Sequence, residues 1–228
     1  MKQVPLGLPE ASPPPPRDLV LPELVIAVDP GNDSGIAVVT VGRRPALVAH
    51  TCWRGIEKTP IDSALRGKRI SDWTLGRPVL FAVESMPTTQ WKHQKAVFAF
   101  VASRTRWKDS ALVVPNVVAV EDLHLATWRS RAGMQTLART LPRKTKKRPD
   151  GSMFYGLDWK RAARAWVEIH HGVVVTNDNT AEAIVMATGL AIHVASGGWQ
   201  REQEHRRRQR EAHARPRRRG RGPGGGPP

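Results

Sequence analysis

Short apolar runs alternate with polar turns along the first half of the chain. Three runs, at 24–28, 35–41 and 46–53, are separated by short connections that contain glycine, proline or charged residues. Their length and their content of β-branched residues predict three successive strands. A later run, at 77–85, is continuously apolar, which is typical of a strand buried on both faces, and a further strand is predicted around 116–124. This pattern predicts a sheet with a buried centre.

Helical spacing of the apolar residues predicts helices between and after the later strands. The predicted elements are a helix over 91–104, a helix over 128–140 capped by Thr127, a helix from an Asp158 cap to Gly172, a short strand at 173–175 and a final helix over 180–196. The basic segment at 141–156 is predicted to be a loop. Strands in series, followed by strands and helices in alternation, favour a single α/β domain with a mixed sheet.

The two ends of the chain differ from the middle in composition. Residues 1–22 are rich in proline, which predicts a disordered or extended leader. Residues 199–228 contain ten arginines against three glutamates, a net charge of +7, with little apolar material, which predicts a disordered basic tail. We therefore expect one folded domain at 23–198.

Charge indicates the class of partner. The formal net charge of +16 and the isoelectric point near 11.2 favour a polyanion, with nucleic acid first and an anionic membrane surface second. Cys52 is the single cysteine, so an intramolecular disulfide or a cysteine-based zinc site is excluded. The chain shows neither a secretory signal nor a long apolar run, and we expect a soluble, cytoplasmic protein.

Candidate chemistry comes from carboxylates at the ends of apolar segments. Asp29 and Glu84 each follow an apolar strand, at the sheet edge where α/β proteins bind ligands, although each taken alone is better explained as a solvated strand end. Glu182 lies in an otherwise apolar helix, where a capping box with Asn179 is the rival explanation. Asp178 and Asn179 share its helical face. Crowded carboxylates require a divalent cation, and oxygen ligands suit Mg²⁺ or Mn²⁺.

The order of three short motifs resembles a known family. "IAVDPGNDSGIAVV", "FAVES" and "NTAEAIVMATGLA", with "LATWR" between the last two, are similar to motifs of the RuvC-type Holliday junction resolvases, members of the RNase H-like nuclease superfamily. The resemblance spans residues 24–196 and implies an RNase H-like mixed five-stranded sheet flanked by helices.

The resemblance also implies roles for the acidic residues. Asp29 corresponds to the aspartate that bridges two metal ions, Glu84 to the glutamate on the neighbouring strand, and Glu182 to the last acidic ligand. The fourth position is open between Asp178, which is anionic and which we favour, and Asn179, which keeps the family's three-residue spacing. The implied catalytic set is Asp29, Glu84, Asp178 and Glu182, and the implied cofactor is two Mg²⁺ ions, for which Mn²⁺ can substitute.

DNA contacts are expected outside this set. The basic segment supplies Arg143, Lys144, Lys146, Lys147 and Arg148, which we expect to grip a DNA arm. Trp91 is a candidate for the family's aromatic wedge, with a core or helix-cap tryptophan as the simpler interpretation. Glu121 and Asp122 also end an apolar run, but the family has no ligand there.

The implied activity is that of a Mg²⁺-dependent crossover junction endodeoxyribonuclease. A homodimer would cut two symmetric strands of a four-way junction and leave 5′-phosphates, in the cytoplasm of a bacterial or phage-infected cell. Three alternatives remain open at this point. They are a nuclease for flaps or forks, a non-catalytic structure-selective DNA-binding protein on the same scaffold, and an actin-like ATPase, for which the sequence offers no convincing glycine-rich phosphate loops.

Overall fold

A computed structural model describes residues 20–31, 33–54, 60–85, 94–148 and 150–214. Nearly all of the predicted leader, the end of the predicted tail from 215 onward, and Trp91 lie outside these ranges. The elements, in chain order, are β1 (Leu24–Asp29), β2 (Asp33–Thr40), β3 (Leu47–Arg54), α1 (Pro60–Thr74), β4 (Val79–Ser85), α2 (Gln94–Leu112), β5 (Val117–His124), α3 (Leu125–Arg131), α4 (Met134–Thr140), β6 (Lys144–Lys147), β7 (Met153–Gly156), α5 (Trp159–His171), α6 (Asp178–Ala195) and α7 (Gly198–Ala214).

The main sheet is five-stranded and mixed, in the order β3-β2-β1-β4-β5. The pairs β1–β2 and β2–β3 are antiparallel, whereas β1–β4 and β4–β5 are parallel. This arrangement confirms the predicted mixed α/β sheet. The two central strands β1 and β4 are buried along their whole length, because helices cover both faces of the sheet.

Alternate side chains of the sheet belong to two separate cores. Leu24, Ile26 and Val28 of β1 pack with side chains of α1 and α2, while Val25 and Ala27 pack with side chains of α3 to α7. Because successive residues of a strand point to opposite faces, one continuous apolar run serves both layers. The result is a three-layer α/β/α domain.

Helix α6 lies directly against the sheet. Twelve of its eighteen residues are buried, and it packs chiefly on β1, β2 and α5. A Cβ atom on Gly35 of β2 would lie 2.0 Å from the backbone oxygen of Asn179, at the start of the helix. Gly35 therefore permits a backbone-to-backbone approach that a residue with a side chain would block.

Several local expectations are corrected by the structure. The helix predicted with a Thr127 cap begins at Leu125 and is broken into α3 and α4 at Gly133, whose φ is +66°. The expected strand at 173–175 is not formed, the helix α1 was not predicted, and the predicted basic loop contains the antiparallel hairpin β6–β7. The Asp158 cap and the end of α5 at Gly172 are confirmed.

The first half of the predicted disordered tail forms helix α7. Its sequence lacks an apolar stripe, so the helix is held by specific contacts. Trp199 is buried and donates a hydrogen bond from Nε1 to Glu121 at 3.2 Å, and Arg206 pairs with Glu121 at 2.8 Å. Glu202 pairs with Arg131 of α3 at 2.6 Å. Tertiary contacts, not helical periodicity, order this segment.

Among the described helices, no single one is long and apolar enough to cross a membrane. Helices α6 and α7 are long and apolar enough only when they are taken together, and this pair is bent by 76°.

Candidate active site

Three acidic side chains from distant parts of the sequence meet at one edge of the sheet. Asp29 ends β1, and Glu84 lies near the end of the parallel strand β4. The paired residues Val28 and Val83 precede them directly, so the two carboxylates leave the sheet side by side. Glu182, on the first turns of α6, reaches the same point, and Asp29 lies within side-chain hydrogen-bonding reach of both glutamates.

Burial and mutual repulsion dominate the electrostatics of this acidic cluster, which comprises Asp29, Glu84 and Glu182. Asp29 is 8% exposed and Glu84 only 2% exposed. Burial, followed by the negative charges of Glu84 and Glu182, raises the pKa of Asp29 well above its usual value. Burial is also the main cause of the raised pKa of Glu84 and of Glu182. The cluster therefore resists holding three negative charges without a counter-charge.

Arg129 of α3 supplies positive charge next to the cluster. Its Nη2 lies 3.5 Å from Oε1 of Glu182, and its guanidinium lies over the ring of Trp159, 4.6 Å from the ring centre. Burial lowers the pKa of Arg129, while Glu182, Glu84 and Asp29 act in the opposite direction. The neighbouring Trp128 donates a hydrogen bond from Nε1 to Oε1 of Glu84 at 3.0 Å. Helix α3 thus orients two of the three carboxylates.

The acidic cluster lines a cleft of about 550 Å³. Positively charged side chains line the same cleft: Lys144 and Lys146 come from the hairpin β6–β7, and Lys160 comes from α5. The combination of cations at the wall and carboxylates at the buried edge suits a phosphate-bearing substrate that is held close to a metal site.

Comparison with known proteins bears on the fold. No protein-family model and no curated protein sequence matches the chain. The structure of T. thermophilus RuvC in complex with a Holliday junction substrate aligns with a TM-score of 0.51 and 13% sequence identity, over 77% of this chain and 97% of that one. The fold is that of RuvC.

Two further solved structures align with this chain. A second Thermus thermophilus RuvC structure has a TM-score of 0.47 and 17% identity, and covers 77% of this chain and 97% of that chain. The yeast mitochondrial Holliday junction resolvase Ydc2 has a TM-score of 0.43 and 8% identity, with coverage of 85% and 86%. The RNase H-like five-stranded sheet expected from the sequence is confirmed.

The donor atoms of the acidic cluster fit a divalent cation. Three carboxylates are hard oxygen ligands, and a cation would offset the burial and the mutual repulsion that raise the pKa values of Asp29 and Glu182. Among the residues that the structure describes, however, no three Asp, Glu, His or Cys side chains are arranged around a common metal position. The chemistry of the ligands fits Mg²⁺, whereas the side chains in this structure hydrogen-bond with one another and with Arg129.

The structure separates the two candidates for the fourth ligand. Asp178 pairs with Arg164 at 3.0 Å and with Lys160 at 3.5 Å, and it does not line the cleft. Asn179 does line the cleft, and its Nδ2 donates a hydrogen bond to the backbone carbonyl of Asp33. Its side-chain oxygen Oδ1 is then the atom that could coordinate a cation. The helix cap is Asn177, not Asn179, because the Asn177 side chain accepts from the backbone of Thr180. The capping-box interpretation of Glu182 is therefore wrong.

The hairpin β6–β7 places the predicted DNA-binding residues in different surroundings. Lys144 and Lys146 line the cleft, whereas Lys147 is exposed on the opposite face of β6. Arg143 is exposed just before the hairpin, and Arg148 lies over the ring of Phe154 with 5.3 Å between Cζ and the ring centre. The segment as a whole stays a predicted DNA contact, and two of its five cations also reach the acidic cleft.

The remaining acidic residues of the sheet edge have structural partners. Glu121 anchors α7, as described above, and Asp122 pairs with Arg104 at 2.6 Å and Lys108 at 2.7 Å on α2. Hydrogen bonds and charges from those two partners lower the pKa of Asp122 despite its partial burial. Neither residue lines the cleft of the acidic cluster.

Sequence reasoning missed the residues that surround the carboxylates. Trp128 and Arg129 both lie in the quoted motif "LATWR", so the motif was a usable signal, although nothing in its spacing related it to Glu84 or Glu182. Trp159 and Lys160 follow the Asp158 cap directly and enter the cleft because α5 starts at its wall. These contacts join segments that are far apart in the sequence and depend on the fold.

Proposed function

We propose that this protein is a metal-dependent endonuclease that cuts branched DNA, with the four-way Holliday junction as its preferred substrate. The observation that carries the proposal is the convergence of three carboxylates in a cleft that is also lined by three lysines; Asp29 and Glu84 are buried, and the side chain of Glu182 is 12% exposed. The fold shared with a RuvC that is solved in complex with a Holliday junction supports the choice of substrate.

Within this proposal the residues of the cleft have two roles, phosphate binding and metal coordination. Lys144, Lys146 and Lys160 bind the phosphates of the scissile strand and its neighbours. Asp29, Glu84 and Glu182 hold the cofactor, with the side-chain oxygen of Asn179 as the fourth ligand. When bound, two Mg²⁺ ions, or Mn²⁺ in their place, supply an activated water and stabilise the leaving 3′ oxygen.

The neighbouring residues of α3 keep the ligands in place. Trp128 fixes one oxygen of Glu84 by its hydrogen bond, and Arg129 balances the charge beside Glu182. Hydrolysis with the 3′ oxygen as the leaving group would leave 5′-phosphates. We propose a homodimer as the active form, because paired cuts at two-fold related strands require two sites with the same symmetry.

Cleavage of defined DNA structures tests the proposal. The four strands of a mobile junction are labelled in turn and incubated with protein in Mg²⁺ or EDTA, beside a flap, a fork and a linear duplex of the same sequence. We expect Mg²⁺-dependent symmetric cuts in the junction, and products that a DNA ligase reseals because they carry 5′-phosphates. Preferential cutting of the flap or fork would redirect the proposal to those substrates.

Substitutions in the cluster separate catalysis from binding. Asp29→Asn or Glu84→Gln should abolish cleavage but keep junction affinity, measured in Ca²⁺. Asp122→Asn is the matched control, because it removes a carboxylate from the adjacent strand that pairs with α2 and lies outside the cleft. Junction binding without any metal-dependent cutting by the unaltered protein would favour the non-catalytic DNA-binding alternative.

A further inference from the structure

The hairpin β6–β7 has two faces with different surroundings. In its antiparallel register, Lys146 pairs with Phe154, while Thr145 pairs with Tyr155 and Lys147 pairs with Met153. Because cross-strand partners share a face, Phe154 lies on the face of Lys146, which lines the cleft. Thr145, Lys147, Met153 and Tyr155 form the opposite face, called here the outer face of the hairpin.

The outer face exposes two large side chains side by side. Tyr155 is 71% exposed and Met153 is 61% exposed, and they are neighbours two residues apart on the same face of β7. Tyr155 is also the single tyrosine of the chain. A lone exposed apolar residue is ordinary on a protein surface, but an adjacent aromatic and thioether pair, on a hairpin whose other face lines the cleft, offers a flat apolar contact surface.

The charge around this surface is strongly positive. Five Lys and Arg residues lie within 143–148, on both faces and at the base of the hairpin. The acidic residue of the hairpin, Asp150, is engaged by its own turn, where it accepts hydrogen bonds from the backbone and the hydroxyl of Ser152 at 2.9 and 2.7 Å. The surface therefore combines an aromatic ring with cations, and complementarity favours a ligand with a flat ring system and phosphates.

A nucleotide of the bound DNA has both properties, since its base is a flat ring system and its backbone carries the phosphate. In a continuous duplex the faces of the bases are covered by their neighbours, whereas at a branch point the terminal base pair of an arm exposes one face. We infer that Tyr155, supported by Met153, stacks on a base exposed at the branch point of the DNA whose phosphates are held by the lysines of the cleft. This inference rests on the proposed function and adds a determinant of selectivity for branched over linear DNA.

Equilibrium binding in Ca²⁺ compares a four-way junction with a linear duplex built from the same arm sequence. Removal of one stacking interaction, about 1.4 kcal/mol, should lower the junction affinity of Tyr155→Ser about tenfold and leave the duplex affinity unchanged. Tyr155→Phe keeps the ring and should bind as the unaltered protein does. Thr145→Ala is the matched control, because it changes the cross-strand partner on the same face without removing a ring.

Photo-crosslinking gives a readout that is independent of affinity. Junctions carry a single 5-iododeoxyuridine either at the branch point or in the middle of an arm, and the crosslinked peptide is identified by mass spectrometry. We expect a crosslink to Tyr155 from the branch-point position only, and its disappearance in Tyr155→Ser. Equal crosslinking from the middle of an arm would overturn the inference, because it would indicate contact along the duplex.

The outcomes distinguish this inference from the proposed function. If the unaltered protein prefers and cuts the junction while Tyr155→Ser binds it equally well, the stacking role is wrong and the nuclease proposal stands. If the unaltered protein binds the junction no better than the duplex, the proposed substrate is wrong. Binding to vesicles containing phosphatidylglycerol that Tyr155→Ser abolishes, together with unchanged junction affinity, would assign the outer face to a membrane and overturn the inference.

Discussion

Gly35 is the position at which the fold and the candidate site are most sensitive to one methyl group. It lies on β2 directly beside Asp29 of β1, and the start of α6 crosses it on the other side. A Cβ atom at this position would lie 2.0 Å from the carbonyl oxygen of Asn179 and 2.5 Å from the backbone nitrogen of Thr180. Both atoms belong to the backbone, so neither can be relieved by a change of rotamer.

The required displacement follows from these distances. Ordinary contact begins at 3.4 Å, so Gly35→Ala requires the start of α6 and β2 to separate by at least about 1.4 Å. The same movement would stretch the hydrogen bond from the Thr180 hydroxyl to the backbone carbonyl of Thr51, which is 3.3 Å. Overpacking against a well-packed core costs about 1–3 kcal/mol in the free energy of unfolding, and we expect about 3 because backbone opposes backbone.

Catalysis should suffer together with stability. Glu182 is two residues beyond Thr180, so a shift of the helix start carries this carboxylate away from Asp29. A misplacement of about 1 Å in a catalytic group costs roughly 100-fold in rate. Urea denaturation gives the free energy of unfolding, and single-turnover cleavage of a four-way junction gives the rate, at a temperature where both proteins are folded.

Gly42→Ala is the matched control for this prediction. Gly42 lies in the connection between β2 and β3, and the nearest atoms to its Cβ position are 3.9 and 4.0 Å away, which is ordinary contact. The control should match the unaltered protein in stability and in cleavage rate. If Gly35→Ala proves as stable and as active as Gly42→Ala, the close approach of α6 to β2 and its role in positioning Glu182 are refuted.

Three further predictions concern charge. The raised pKa values of the three clustered carboxylates mean that the folded protein keeps protons that the unfolded chain has released, so their contribution to metal-free stability should be fully present below about pH 4 and be lost as pH rises through the folded-state pKa values. Added Mg²⁺ should restore the melting temperature at neutral pH, and a melting temperature that Mg²⁺ leaves unchanged there would contradict this. Asn179→Ala should raise the Mg²⁺ concentration for half-maximal cleavage more than Asp178→Asn does, because Asp178 is paired outside the cleft. A Mg²⁺ titration with the reverse order would indicate that Asp178 is the fourth ligand. Truncation after Gly198 should reduce the slope of log affinity against log salt by about 0.9 for each DNA phosphate that the tail neutralises in the full-length protein. The control Glu121→Gln, which frees α7 without removing its arginines, should change the slope little. An unchanged slope after truncation would exclude the tail as a DNA-binding segment.

Local sequence determined the five strands of the main sheet and indicated all three clustered carboxylates. Continuous apolar runs become the central strands because only buried strands tolerate apolar side chains on both faces. Asp29 and Glu84 could be placed at one edge because each ends such a run and parallel neighbours finish on the same side of a sheet. Glu182 was recognisable because it interrupts a helix that is otherwise apolar on nearly every side.

Only the tertiary structure decided what surrounds these carboxylates. Arg129 meets Glu182 across 53 residues of sequence, and Trp128 meets Glu84 across 44, so no local pattern records either contact. Asp178 and Asn179 are adjacent in sequence, yet a rotation of about 100° per residue along the helix turns one toward α5 and the other into the cleft. Helix α7 has no apolar stripe to predict it, and it is ordered because Trp199 and Arg206 find Glu121 on a distant strand. Periodicity reports what a segment buries, whereas the partners of a polar side chain are set by the packing of segments that are far apart in the chain.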